Sequence, residues 1–185
     1  MDNGASSYRR FLDGDDEGIV QIVGDYKDGL ILYLISYVKN IYVAEELAED
    51  TFFRLMVKKP RFSGKSSFKS WLYAIGRNVA VDHLRHHSKL VDTPIEDMEE
   101  YLSDESDLER SYLREERKIM VRGVLKKLPP DYQQVLWLTY FEELSNEEAS
   151  VAMNKNARQI RNLLYSSNQA LKTDLEKEGY SYEEF

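Results

Sequence analysis

At 185 residues the chain fits one medium domain or two small ones, each able to bury a core. It is 42% hydrophobic and 31% charged with few Gly and Pro, which favours a helical globular protein. The absence of cysteine excludes disulfides and thiolate metal sites and suits a reducing, cytoplasmic home. The net charge of −8 hides a marked asymmetry. Residues 54–89 hold nine Lys or Arg against a single acid, Asp82, residues 92–116 hold eleven acids against Arg110 and Arg114, and residues 155–172 hold four basic residues and no acid. Two basic blocks joined by an acidic connector suit two contact points on one long polyanion.

Residues 1–16 are polar and acidic, and read as a ragged terminus leading into a short first helix, unlike a signal peptide. Ile19, Val20, Ile22 and Val23, followed by Leu30, Ile31, Leu34, Ile35 and Val38, predict two core helices with a break at residues 25–29. The run from Leu30 to Val38 is the longest apolar stretch and far too short to span a bilayer.

Val43 to Lys59 predicts a third helix with two distinct sides. Ala44, Leu47, Ala48, Thr51, Phe52 and Leu55 cluster as a core face, while Glu45, Glu46, Glu49, Phe53 and Met56 lie opposite. An acidic surface that also presents Phe and Met marks a protein partner better than a purely solvated face. Pro60 stops the helix, because its ring disfavours helical geometry in the preceding residue.

A turn at Ser63-Gly64-Lys65 then delivers the chain to a helix capped by Ser66 or Ser67. On it Phe68, Leu72, Ile75 and Val79 share an apolar face, and Lys69, Tyr73 and Arg77 form a separate surface. Trp71, Asn78 and Arg85 recur every seven residues as a half-wet stripe, with Asp82 one turn after Asn78. An aromatic ring, an amide and a guanidinium on one stripe fit single-stranded nucleic acid, whose bases stack on rings and whose phosphates pair with Lys or Arg. A partly buried core tryptophan beside a solvated basic face is the plainer alternative. His83 and His87 have an i, i+4 spacing, but without an HExxH glutamate or a third ligand they read as polar surface groups, not a metal site.

Leu90 to Ser111, with Pro94 and its run of acids, reads as a linker, and helical periodicity resumes from Tyr112 to a stop at Pro129 and Pro130. The next helix is expected from Asp131, as N-cap, to about Phe141. Ser145 with Glu148 forms a capping box opening a short helix to Met153. Asn154 stands where a left-handed residue ends it, and a longer helix runs from Ala157 beyond Leu171. Its inner face holds Ile160, Leu163, Leu164, Ser167 and Leu171, and Arg158, Arg161, Asn162, Tyr165 and Gln169 point outward. Short helix, tight turn and longer polar-faced helix make a helix-turn-helix, with Arg suited to guanine and Asn or Gln to adenine in a major groove.

AEELAEDTFFRL followed by FSGKSSFKSWLYAIGRNVAVDHLR resembles domain two of bacterial RNA polymerase sigma factors of the extracytoplasmic-function group. LPPDYQQVLWLTYFEELSNEEASVAMNKNARQIRNLLYSSNQAL resembles domain four of the same family. The resemblance implies an all-α protein of two small helical domains, residues 1–90 and 112–176, joined by an acidic linker at 91–111 and followed by an acidic tail at 177–185. It further implies docking on core RNA polymerase, at the beta-prime coiled coil through Glu45, Glu46, Leu47, Glu49, Asp50 and Phe53, with the beta flap as a second polymerase contact. Phe62, the Ser63 to Ser67 loop with Lys65 and Ser66, Ile75 and Asn78 match positions that capture a flipped base of the minus-ten element, with Trp71 close by and Asp82 and Arg85 at the upstream edge. Arg161, Asn162 and Tyr165, with Arg158 beside them, match positions that contact the minus-thirty-five element. Glu49 departs from the Gln usual in the docking helix, Asn154 from the usual turn Gly, and Ser166 and Asn168 from the usual basic residues. An anti-sigma partner is common in this group. No cofactor, no metal and no enzymatic activity are expected, since no phosphate loop or nucleophile motif is present. A free-standing helix-turn-helix regulator with a sensing or dimerising N-terminal half is the alternative reading.

Overall fold

The structure is a computed structural model and describes residues 3–90, 123, 125 and 127–177, with side chains in the first stretch described as far as His87. The expected linker at 91–111, most of the helical pattern from Tyr112 and nearly all of the tail lie outside the described residues.

Every element described is helical. α1 spans Asn3–Leu12, α2 Glu17–Val38, α3 Ile41–Lys58 and α4 Phe68–Leu90. After helical residues at 123, 125 and 127 come α5, Pro130–Leu136, a wide turn over Trp137–Phe141, α6, Asn146–Met153, and α7, Ala157–Lys177.

Residues 3–16 are more ordered than the polarity of this stretch predicts. Tyr8 and Phe11 on α1 are buried, and α1 packs against α2 where Gly18 lets the two backbones meet. A Cβ at Gly18 would strike the Ser7 carbonyl and the Phe11 backbone. The two helices expected between residues 19 and 38 are one. Gly24 and Gly29 each cost a helix interior up to about 1 kcal/mol, but burial of Ile19, Ile22, Leu30, Ile31 and Leu34 is worth roughly 1.5–3 kcal/mol per side chain and overrides the break.

α3 starts at Asn40, whose side chain accepts from the Val43 N–H, and ends at Lys59, left-handed at φ 43° immediately before Pro60. Its core face is as expected: Ala44, Leu47, Ala48, Thr51, Phe52 and Leu55 are buried. α5 differs from its expectation at both ends. Pro130 occupies the first turn, where a missing N–H costs nothing, so Asp131 lies inside the helix instead of capping it. At the other end the Glu142 N–H reaches back five residues to the Trp137 carbonyl, widening the last turn and stacking Trp137 on Phe141 at 4.5 Å.

The two halves of the chain share one core. α4 packs against α6 and α2 against α5, so the helix-turn-helix sits on the N-terminal bundle.

Candidate nucleic-acid interface

The loop from Lys59 to Ser67 is held at both ends. The Pro60 carbonyl accepts from the Tyr8 hydroxyl at 2.8 Å, and the Ser67 hydroxyl accepts from the Ser70 N–H at 3.3 Å, which makes Ser67 the residue that caps α4. Between them Gly64 takes φ 71°, a left-handed value that glycine tolerates at no steric cost. Ser63 and Lys65 are exposed and Ser66 is half-buried, so the loop presents hydroxyls and an ammonium to solvent.

Beside the loop lies an aromatic cluster. Phe62 packs on Trp71 at 5.1 Å and edge-on to Phe68 at 5.7 Å, and Tyr8 from α1 meets Trp71 at 5.4 Å. Trp71 is thus braced on its inner side but only half-buried, and the plainer reading of it as a core tryptophan holds for that side alone. Asn78 is exposed, its Oδ1 accepting from Arg77 at 3.2 Å. Arg85 is exposed one turn beyond Asp82, whose carboxylate pairs with Arg54 of α3 at 3.8 Å. Ile75, grouped with the apolar face, is half-buried where Phe68, Leu72 and Val79 are buried, so it borders both surfaces.

The surface expected from Lys69, Tyr73 and Arg77 is a correction. Tyr73 is fully buried, and Lys69 is tied to the C-terminal half. Burial first, then the Glu142 carboxylate beside it, pushes the Tyr73 phenol far above its ordinary pKa.

In the helix-turn-helix the capping box forms: the Ser145 Oγ accepts from the Glu148 N–H and the Glu148 carboxylate from the Ser145 N–H. Asn154 is left-handed at φ 52°. A second reciprocal cap, not anticipated, opens α7: Asn156 Oδ1 accepts from the Gln159 N–H at 2.9 Å and Gln159 Oε1 from the Asn156 N–H at 2.8 Å. The N-x-x-Q spacing was its signal. Arg158, Arg161, Asn162 and Tyr165 stand on α7 at offsets 0, 3, 4 and 7, all exposed, Tyr165 by 71%. Ile160, Ser167 and Leu175 anchor the opposite face, with Leu163, Leu164 and Leu171 half-buried.

On α3, Glu45, Glu46, Glu49, Asp50 and Phe53 are exposed together, Phe53 by 58%, with Met56, and with Tyr42 and Val57, which sequence reading passed over. Leu47 corrects the set: at 3% exposure its side chain belongs to the core, because its offset from Ala44, Ala48 and Thr51 places it on the inner face. His83 lies near the Glu46 and Asp50 carboxylates, yet burial and then His87, with its ring centroid 4.6 Å away, lower its pKa. Among the described residues no group of three potential metal ligands forms.

Residues 22–90 match the family profile described as Sigma-70 region 2, and residues 118–167 match Sigma-70, region 4. The chain is also 30% identical over 142 residues, 77% of its length and 75% of the relative's, to the ECF RNA polymerase sigma factor SigC of Mycobacterium tuberculosis. This protein is an ECF-type sigma factor of the sigma-70 family. It is 29% identical over 154 residues to the sigma factor SigM of Bacillus subtilis, covering 83% of this chain and 93% of SigM. In fold it is similar to the sigma factor RpoE of Bartonella quintana, solved with the anti-sigma factor NepR, with a TM-score of 0.64, 21% identity and coverage of 84% and 95% of the two chains. A sigma factor is not an enzyme; it directs RNA polymerase to promoters, and this membership decides against the free-standing regulator.

Proposed function

We propose that this sigma factor divides promoter reading between two exposed stripes. The braced Trp71, with Phe62, Ser63, Lys65, Ser66, Ile75, Asn78, Asp82 and Arg85 around it, holds one strand of the minus-ten element after a base leaves the stack. The α7 stripe of Arg158, Arg161, Asn162 and Tyr165 enters the major groove of the minus-thirty-five element. The observation that carries the reading is that Ser63, Lys65, Asn78 and Arg85 are exposed around a half-buried Trp71, while Arg158, Arg161, Asn162 and Tyr165 are exposed on α7, each set backed by buried apolar residues that fix its orientation.

Core polymerase is taken up on the acidic and apolar face of α3, with Glu45, Glu46, Glu49, Asp50 and Phe53 against the beta-prime coiled coil and the C-terminal module on the beta flap. Residues 1–90 and 112–176 are the working units, 91–111 the connector and 177–185 a tail. The protein works in the cytoplasm, and no helix among the described residues is long and apolar enough to cross a membrane. RpoE is solved with an anti-sigma factor, and such a partner of this chain would compete for the same α3 face or for the C-terminal module.

The deciding experiment is initiation from a promoter library by core polymerase with and without the chain. Selective use of a set of promoters carrying paired upstream and downstream elements is the expected result. Initiation indifferent to the chain would overturn the reading.

A further inference from the structure

The wide turn over Trp137–Phe141 holds one aromatic residue out at the surface. Leu138 and Leu144 are buried, the Leu144 N–H reaches back to the Leu138 carbonyl at 2.9 Å, and Trp137 stacks on Phe141, so the turn is fixed on both sides of Tyr140. Tyr140 itself is 57% exposed, and its hydroxyl donates to Asn168 Oδ1 of α7 at 3.2 Å. Asn168 follows Arg161 by seven residues and Tyr165 by three, which puts it in the same row of α7. The neighbouring residue sets how that row is turned: Ser167 is fully buried, and its hydroxyl donates to the Leu164 carbonyl at 3.0 Å.

A primary amide carries an acceptor oxygen and two N–H donors. The Tyr140 hydroxyl engages the oxygen of Asn168 and fixes the sense of the amide, with Oδ1 toward Tyr140 and Nδ2 away from it. What remains is a donor, suited to an anion that can only accept. No acid stands on α7 before Asp174, so the helix itself does not oppose an anion there. Asn168 lies ten residues beyond Arg158, about 15 Å along the helix axis. The major groove is about 12 Å wide, so a helix whose first turns face base edges carries Asn168 to the groove wall, where the phosphates run. Asn and Tyr are both among the side chains that bond phosphate oxygens.

We propose that Tyr140 and Asn168 form a seat for a single DNA phosphate beside the recognition stripe, Asn168 Nδ2 donating to a phosphate oxygen and Tyr140 acting as the positioning residue that keeps Nδ2 outward. The proposal deepens the major-groove reading above and rests on it. Such a contact carries no sequence information itself, but it fixes where α7 lies along the groove and hence which base pair Arg161 and Asn162 face. The amide of Asn168 is uncharged and displaces no counterion, so the seat adds grip with little added salt dependence. Tyr140 is exposed and Asn168 half-buried, so changing either leaves the core of the module intact.

The test is binding of holoenzyme, assembled from core polymerase and the full chain, to promoter duplexes in which one phosphate at a time is replaced by an uncharged methylphosphonate. With the native chain, replacement at one phosphate flanking the minus-thirty-five element should weaken binding roughly three- to tenfold, the worth of one hydrogen bond. In Asn168→Ala that single loss should vanish while losses at other phosphates stay. In Tyr140→Phe, which keeps the ring and drops the hydroxyl, it should shrink. Asn168→Asp keeps an acceptor for the Tyr140 hydroxyl but replaces the donor with a negative charge, so methylphosphonate at that one position should now strengthen binding. A bond that only holds the turn to α7 predicts no such reversal. Scans that coincide for the native chain, Asn168→Ala and Asn168→Asp would overturn the seat, and a Tyr140→Phe scan identical to the native one would overturn the positioning role of Tyr140. Arg161→Ala on the same promoters separates the two readings. If it relaxes base preference while the Asn168 variants change nothing, the seat alone fails; if it has no effect and no phosphate there matters, the major-groove reading fails and the seat with it.

Discussion

The Tyr8 hydroxyl donates to the Pro60 carbonyl at 2.8 Å, tying the first helix to the residue that ends the third. The same ring braces Trp71, and burial pushes its phenol up to about 12. Tyr8→Phe keeps the ring and loses one hydrogen bond, an expected cost of about 1 kcal/mol in urea unfolding. Tyr8→Ala should cost about 3–5 kcal/mol and shift tryptophan emission to the red as Trp71 gains solvent.

Leu47 and Phe53 share a helix but not an environment. Leu47→Ala should lower unfolding free energy by about 2–5 kcal/mol. Phe53→Ala should change it by less than about 0.5 kcal/mol while weakening association with core polymerase, measured by competition for the enzyme. The reverse pattern would place the docking surface elsewhere.

Asn78→Ala should lose discrimination at the minus-ten element while polymerase binding survives; equal loss of both would contradict the division of labour. Arg161→Ala should cost about 1–3 kcal/mol at one minus-thirty-five position and relax specificity there, read from initiation across a randomised upstream element.

Phosphate anchoring by α7 is expected to be thin. Ser166 and Asn168 are uncharged, Asn168 accepts from the Tyr140 hydroxyl, and Lys155 is paired with Asp131 at 3.0 Å. Binding of the full chain to a minus-thirty-five duplex should therefore fall gently with salt, the log–log slope changing by about 0.9 per phosphate contact removed. A steep slope, matching many contacts, would contradict this.

Burial tends to raise the Glu148 carboxyl, but bonds from the Ser145 backbone and from the Ser67 and Ser145 hydroxyls, with Lys69 nearby, outweigh it and hold its pKa below the ordinary value. A depressed carboxylate stabilises the fold above its unfolded pKa, about 4.3, and that stability is lost as pH falls through the lower folded value. The stability gap between the native chain and Glu148→Gln, followed by urea unfolding, should be largest near neutrality and close in acid. Ser145→Ala, removing the other half of the box, should cost about 1 kcal/mol.

What the amino-acid order settled by itself is what depends on neighbours within a turn or two. The Ser145–Glu148 box, the left-handed Asn154, the stop before Pro60 and the outward stripe of α7 all follow from backbone hydrogen bonding and a 3.6-residue period. The core face of α3 was legible for the same reason, and Leu47 had its place there before resemblance moved it to the docking set. The N-x-x-Q cap of α7 was legible too but passed over. Only the assembled molecule decided the rest. Burial joined residues 17–38 into one helix across two glycines, Tyr8 crossed 52 residues to reach Pro60, and Tyr73 left the surface to pack on Tyr33 of α2 at 5.3 Å, with the Glu142 carboxylate beside its phenol. Such contacts join residues distant in sequence, and the energy of burying a side chain depends on what covers it, which no local pattern encodes.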